Sequence, residues 1–378
     1  MSLILTRAER ENEMKYLSEF RDEEIVRTLL RKIKKIVTRS WNIMEVCGGQ
    51  THGLVRHGLL EMLPDEIQMI HGPGCPVCVT PVSMIDKSIE LALEHQVILC
   101  SYGDMLRVPG SSLSLQQARA AGGDIRILYS PLEAVSIARQ NPEKEVVFFA
   151  VGFETTAPAN ALSVEQAYKL NLSNYSVLSA HVMVPPAMEA IMSDEETKVD
   201  GFLAAGHVCT VMGLSEYVPL VERWKMPVVV TGFEPVDLLE GIYMVISQLE
   251  KGEYRLENQY KRVVGNDGNQ KAVDLLRTVF EYRDREWRGI GEIPMSGLFL
   301  VDKYRDFDAT IKFGPLKEKV AEDSGCLSGD VMKGIIKPNE CPHFGKECTP
   351  EKPLGAPMVS SEGACAAYYN YVFQESSE

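Results

Sequence analysis

No stretch of this 378-residue chain is apolar for long enough to cross a bilayer. The longest fully apolar runs, such as Val146–Val151, have the length of a strand. A leader is not expected either. MSLILTRAERENEMKY offers a four-residue apolar stretch and then turns highly charged, so the expected location is the cytoplasm, with no membrane attachment. Basic excess is absent as well. Against 53 acidic residues stand 39 basic ones, a formal charge of −14, which argues against general nucleic-acid binding. A second CxxC is lacking too, and with it the paired knuckles of a common structural zinc site.

Cysteine itself is not lacking. Nine are present, at 47, 75, 78, 100, 209, 326, 341, 348 and 365. In a large chain kept in a reducing compartment, cysteines point to metal or redox chemistry rather than to structural disulfides. A chain of this length buries enough apolar surface to do without staples. The composition, 45% hydrophobic and 24% charged, is that of an ordinary globular protein.

Residues 8–39 carry Leu17, Phe20, Ile25, Leu29, Ile33 and Ile36 at helical spacing and predict an amphipathic helix or helix pair within an N-terminal segment 1–40. Its basic cluster, Arg31, Lys32, Lys34 and Lys35, reads as a solvated face. Beyond it, eight short β-branched runs alternate with helical stretches: 43–46, 67–70, 97–100, 125–128, 146–151, 176–180, 202–205 and 228–231. That alternation predicts an α/β fold with parallel sheets covered on both faces. VVFFAVGFET and PVVVTGFEP repeat a strand running into Gly-Phe-Glu, with Gly152 and Gly232 eighty residues apart. The division expected is a first α/β domain at 41–143, a related second one at 144–250 and a third, loop-rich region at 251–378. From about Tyr254 the strand pattern fades into charged helix and then Gly/Pro-rich loops.

The unusual residues follow the strands. In open parallel sheets ligands bind at the carboxyl ends, so these segments are expected to converge on one crevice. Cys47, in MEVCGGQTH, enters a Gly-Gly turn that permits close backbone approach, with His52 five residues on. A soft thiolate beside imidazole suits iron or zinc, although a lone Cys or His is as often core or surface. In HGPGCPVC, the Cys75/Cys78 pair can cycle between dithiol and disulfide or share a metal, and redox use is the better reading without a second CxxC. Cys100 and Cys209 sit in or beside buried runs and read as inert core thiols. Glu154 and Glu234, with Asp104, His181 and His207, lie at strand ends and are candidates for moving protons or binding ligand. Capping and turn geometry is the plainer role for them.

Cys326-x14-Cys341-x6-Cys348-x16-Cys365 sets four thiols in loops rich in Gly and Pro. Four thiolates match a cubane cluster or zinc; wide spacing without knuckles favours a [4Fe–4S] cluster. On residues alone three functions remain open: a metallocentre-assembly scaffold, an iron–sulfur-dependent thiol–disulfide reductase, and a zinc-bearing binding module.

Taken together, MEVCGGQTH, HGPGCPVC, GFETTAP, AGHVCTVMG and the four-cysteine tail resemble the HypD family of hydrogenase maturation proteins, in order along nearly the whole chain. The resemblance implies two related α/β domains plus a [4Fe–4S] domain, and a role in building the Fe(CN)2CO unit of [NiFe]-hydrogenases. It implies that Cys47 holds the transient iron together with the N-terminal cysteine of the small chaperone HypC. Cys75 and Cys78 then match the redox-active pair, and Cys326, Cys341, Cys348 and Cys365 the cluster ligands. The implied cyanide donor is HypE, which carries it as a thiocyanate on a C-terminal cysteine. Gln50 departs from members with a CGGHTH motif. Any ligand role of that histidine must pass here to His52 or to water.

Overall fold

The computed structural model describes residues 18–317 and 325–373. Leu17 and the start of the predicted N-terminal helix lie outside them. The remainder forms helix Glu23–Ile36, whose Asp22 carboxylate accepts the amides of Glu24 and Ile25, so that its first turn is capped. Leu29 and Ile33 are buried, while Ile25 is exposed.

All eight predicted strands form, as β1 (Trp41–Glu45), β2 (Ile67–His71), β3 (Ile98–Ser101), β4 (Ile125–Ile127), β5 (Val146–Gly152), β6 (Tyr175–His181), β7 (Gly201–Ala205) and β8 (Val228–Thr231). A ninth, β9 (Leu256–Asn258), follows. They make two parallel sheets, ordered β2-β1-β7-β8-β9 and β4-β3-β5-β6. Ranked by position along the chain within each sheet, the orders are 2-1-3-4-5 and 2-1-3-4. The two sheets therefore share one doubly wound topology, each with a switch point where the order reverses: between β1 and β7, and between β3 and β5. The chain leaves the first sheet after β2, builds the second, and returns with β7. A boundary at 143/144 consequently falls inside the second sheet, between β4 and β5. The Gly-Phe-Glu repeat follows the third strand of one sheet (β5) and the fourth of the other (β8).

Both faces of each sheet are buried, and the strand alternation sorts their side chains. Phe202, Ala204, Phe148 and Val177 enter a core shared by both sheets. Leu203 and Val229 face the opposite way, onto helices Glu23–Ile36 and Pro235–Leu249. Phe149 and Leu178 face a third cluster.

Past Tyr254 the fading strand pattern was misleading. An antiparallel hairpin, β10 (Phe280–Trp287) and β11 (Gly291–Leu300), follows helix Gln270–Val279. Charged residues run through it, with Arg283 and Asp284 exposed but Arg285 buried, which hides the ribbon from a search for apolar runs. The hairpin abuts β6 through a Val182–Gly297 bridge. Loops and short helices then carry Cys326–Cys365 across helix Gly48–Arg56, where Phe344, Met358, Ala367 and Tyr368 pack on Val55. Among the described residues, no helix is long and apolar enough to cross a membrane.

Phe148 is fully buried in the core that joins the sheets. Phe148→Ala is expected to cost about 3–5 kcal/mol, measured as a lowered urea midpoint.

Candidate functional site

Cys47 follows β1 at the switch point of the first sheet and occupies the N-cap position of helix Gly48–Arg56. It is buried, and its amide donates to Glu45 Oε2 at 3.0 Å. The Sγ lies 3.6 Å from Nδ1 of His207, which opens the helix after the neighbouring β7. Burial, with the nearby charges of Glu45 and Glu362, pushes the thiol above its ordinary value. Burial also lowers His207 to about 4, so its imidazole is neutral near pH 7. The Phe233 ring leans on it, centroids 5.4 Å apart.

The HGPGC loop lies directly on this thiol's backbone. Gly74 O accepts the Gly48 amide at 2.9 Å, and Glu45 O accepts the Gly72 amide at 2.9 Å. A Cβ at Gly74 would overlap the Cys47 backbone, so glycine is the residue that lets the loops touch. Cys75 caps the short helix Pro76–Val79, Cys78 lies within it, and the two are joined as a disulfide, Cα atoms 5.2 Å apart. Both are buried. At the end of β2, His71 Nδ1 stands 2.8 Å from Glu45 Oε1, and its Nε2 stands 3.0 Å from Tyr368 Oη. Thr51 donates its hydroxyl to the same Glu45 oxygen. Glu362 reaches the site from the C-terminal segment: its backbone fills the space that a side chain at Gly48 would need. Asp104 is near enough for its charge, behind the effect of burial, to help raise the Glu362 carboxyl.

The four C-terminal cysteines line one pocket with Leu327, Val331, Phe344, Leu354 and Met358. Burial raises the Cys365 thiol well above its ordinary value, and the charges of Cys326, Cys348 and Cys341 add to this. Among the described residues, no group of three or more Cys, His, Asp or Glu side chains is set to hold a single metal ion. Val331 also lines the cavity at the CxxC, so the two pockets are neighbours.

A model of the family described as "HypD: Hydrogenase formation hypA family" matches residues 24–372. The hydrogenase maturation factor HypD of Rhodobacter capsulatus is 48% identical over 370 residues, 95% of this chain and 98% of the relative. The hydrogenase expression/formation protein HupD of Azotobacter chroococcum is 46% identical over 95% and 97% of the two chains. The HypD of Escherichia coli is 42% identical over 96% of this chain and 100% of its own. The chain belongs to the HypD family of hydrogenase maturation factors.

Within this HypD-family chain the other expected site residues take varied places. His52 meets the C-terminal segment: its Nδ1 is 3.4 Å from Ser361 O and its Nε2 3.4 Å from Tyr371 Oη. The imidazole beside Cys47 is His207, from a distant strand. Gln50 is buried and donates to Ala204 O (3.1 Å) and Thr231 Oγ1 (2.6 Å), tying its helix to β7 and β8. Glu234 pairs with Arg21, whose Nη2 donates to Oε1 at 2.9 Å, and begins the helix Pro235–Leu249. His181 is buried against Asn160 and Thr156 in the second sheet, and burial lowers it to about 3. Glu45, His71, Tyr368 and Glu362 were not singled out from sequence. A carboxylate closing a largely apolar strand, as Glu45 does, is the signal that could have found one of them.

Glu154 follows β5 and is buried. Its Oε1 accepts the Val184 amide at 2.8 Å, while Oε2 has no hydrogen-bond partner among the described residues. Burial raises its pKa from 4.5 to about 8. The folded state therefore binds this proton more tightly than the unfolded one. Its contribution to stability is complete below 4.5 and is lost as pH rises through about 8. Glu154→Gln is expected to gain on the wild type progressively across that window in urea unfolding. A constant difference at every pH would mean that the carboxyl titrates normally.

Proposed function

We propose that this HypD-family chain is a redox-active scaffold on which iron acquires its cyanide and carbonyl ligands for a [NiFe]-hydrogenase. Cys47 is the iron anchor and Cys75/Cys78 the electron source. The observation that carries the reading is the seating of the HGPGC loop on the Cys47 backbone, with Gly74 O and Gly48 N 2.9 Å apart. It brings a buried thiol–imidazole pair and a dithiol together at a switch-point crevice, where doubly wound sheets bind ligands.

Iron is the cargo here. A buried thiol held protonated gives up its proton when a metal arrives, and the neutral His207 offers a nitrogen beside it. The remaining anchor is a thiolate from a HypC-type chaperone, so that the finished unit can leave when the partner does. Cyanide comes as a thiocyanate from a HypE-type donor. One thiolate of the Cys75/Cys78 pair attacks the thiocyanate sulfur and expels cyanide; the other resolves the mixed disulfide and frees the donor's thiolate. Two thiolates and R–S–C≡N thus become a disulfide, R–S⁻ and CN⁻, which balances atoms, electrons and charge.

The C-terminal pocket suits a [4Fe–4S] cluster held by Cys326, Cys341, Cys348 and Cys365. Four thiolates around one apolar pocket repel each other unless a cationic group lies between them. A tetrahedral zinc site would need the sulfurs about 3.8 Å apart, given Zn–S bonds of about 2.3 Å. The wide spacing of these cysteines in Gly- and Pro-rich loops, without the close knuckles of structural zinc sites, favours the larger cubane. Such a cluster would supply single electrons for reopening the disulfide.

The test is an infrared spectrum of the chain co-purified anaerobically with its small chaperone. Bands in the C≡N and C≡O region are expected, lost in Cys47→Ala and diminished in Cys75→Ser. Bands that survive Cys47→Ala would overturn the anchor assignment. A brown complex with no bands, made in a host with intact cyanide donation, would favour the thiol–disulfide reductase.

A further inference from the structure

The Gly-Phe-Glu repeat sets a phenylalanine just past one strand of each sheet, Phe153 after β5 and Phe233 after β8. Phe153 is buried against Trp287, ring centroids 6.0 Å apart, in the core shared by both sheets. Phe233 instead lies beside the thiol–imidazole pair. Its ring centroid is 5.4 Å from that of His207, at an interplanar angle of 49°. It also lies on Gly49, where a Cβ would stand 3.2 Å from Phe233 Cδ1 and 3.6 Å from Cys47 Sγ. Gly53, one turn along the same helix face, makes room for the Phe233 carbonyl, 2.7 Å from where its own Cβ would be. The ring is braced from behind as well. Tyr260 meets it edge-on, centroids 6.1 Å apart, and packs on Gly206 and Gly232, where a Cβ would come within 2.6 and 2.7 Å of the tyrosine ring. The Arg262 guanidinium covers Tyr260 at 4.4 Å and donates to both oxygens of Asp237, at 2.7 and 2.6 Å.

We propose that Phe233, braced by Tyr260, is a positioning residue for iron capture, holding the His207 ring so that Nδ1 faces Cys47 Sγ. The inference rests on the reading of Cys47 and His207 as the iron site. A metal-ligating histidine ordinarily has its other nitrogen fixed by a carboxylate, a carbonyl or water. Among the described residues, the 3.6 Å contact with Cys47 Sγ is the only one that a ring nitrogen of His207 makes within hydrogen-bonding range. One contact of that length does little to fix a ring. Packing against the Phe233 face does it instead.

The means of orientation suits a cargo that must leave. A carboxylate at the second nitrogen would raise the basicity of the imidazole and tighten its bond to a metal. A phenyl face sets the direction of the ring and adds nothing to that bond. It also offers no lone pair of its own to compete for the iron. The same ring touches the helix that Cys47 begins, through Gly49 and Gly53, so one side chain sets the thiol and the imidazole relative to each other. Such prior placement removes part of the ordering cost of binding.

The experiment uses the full chain co-purified anaerobically with its small chaperone. Iron in excess of that in Cys47→Ala is counted after gel filtration, and the position and width of the C≡O band are recorded. Phe233→Leu is expected to lower the retained iron about 10-fold, as loss of an outer-shell partner does. It should also broaden the C≡O band and move it towards that of His207→Ala. Phe233→Tyr keeps the ring face and should restore both readouts. Phe153→Leu, which removes the equivalent ring from the other sheet, should lower the urea midpoint and leave band and iron at wild-type values. An equal band shift in Phe153→Leu would mark the effect as one of stability and overturn the positioning role. So would a wild-type band and iron content in Phe233→Leu or, should that variant fail to fold, in Tyr260→Leu. A His207→Ala complex with the wild-type band would overturn the imidazole ligation itself, and the positioning with it.

Discussion

The site depends on a backbone contact that only glycine permits. Gly72 and Gly74 bring the loop after β2 against Glu45, Cys47 and Gly48 at the end of β1, closely enough that a Cβ at either position would overlap its neighbours. Two backbone hydrogen bonds hold this seat. In adjacent parallel strands the chain ends naturally fan apart into their crossovers. Here they are held together for several residues past the sheet. A side chain at Gly74 would lift Cys75 and Cys78 off Cys47, and the crevice would no longer bring its thiols together.

Around that contact the electrostatics are arranged by burial. Cys47 is kept as a thiol and His207 as a neutral imidazole by removal from water, each shifted in the direction that disfavours its charged form. The thiol–imidazole pair is thus uncharged before a cation arrives, with the carboxyl groups of Glu45 and Glu362 close by. Glu45 is the exception in its bonding, since it collects His71, the Thr51 hydroxyl and the Cys47 amide, and connects the C-terminal segment to the thiol through Tyr368. Its position at the last residue of β1 makes that possible.

The shared 2-1-3-4 order of the two sheets explains the layout at a larger scale. Each sheet has a switch point. That of the first carries Cys47 and His207. At the second, between β3 and β5, the C-terminal segment packs instead, with Ala356 and Val359 in the same cluster as Val151, and Arg107 donating to Val359 O at 2.9 Å. The cysteine-bearing tail is in this way anchored on the second sheet while it lies across the helix that Cys47 begins.

Strand identity and the grouping of the cysteines were legible in the sequence, because a buried parallel strand must be a β-branched run and a CxxC is local. The hairpin β10–β11 was not, because its solvent face carries the charges that normally mark a helix or loop. Sequence also offered His52 as the imidazole partner of Cys47, being near in the chain. The tertiary structure decided for His207, 160 residues away, because β7 returns to pair with β1 after the second sheet is complete. Which residues carry thiols and which loops can approach closely follow from residue type alone. Which imidazole, carboxylate and phenol meet those thiols follows from strand order, a property of the folded sheet that no local spacing records.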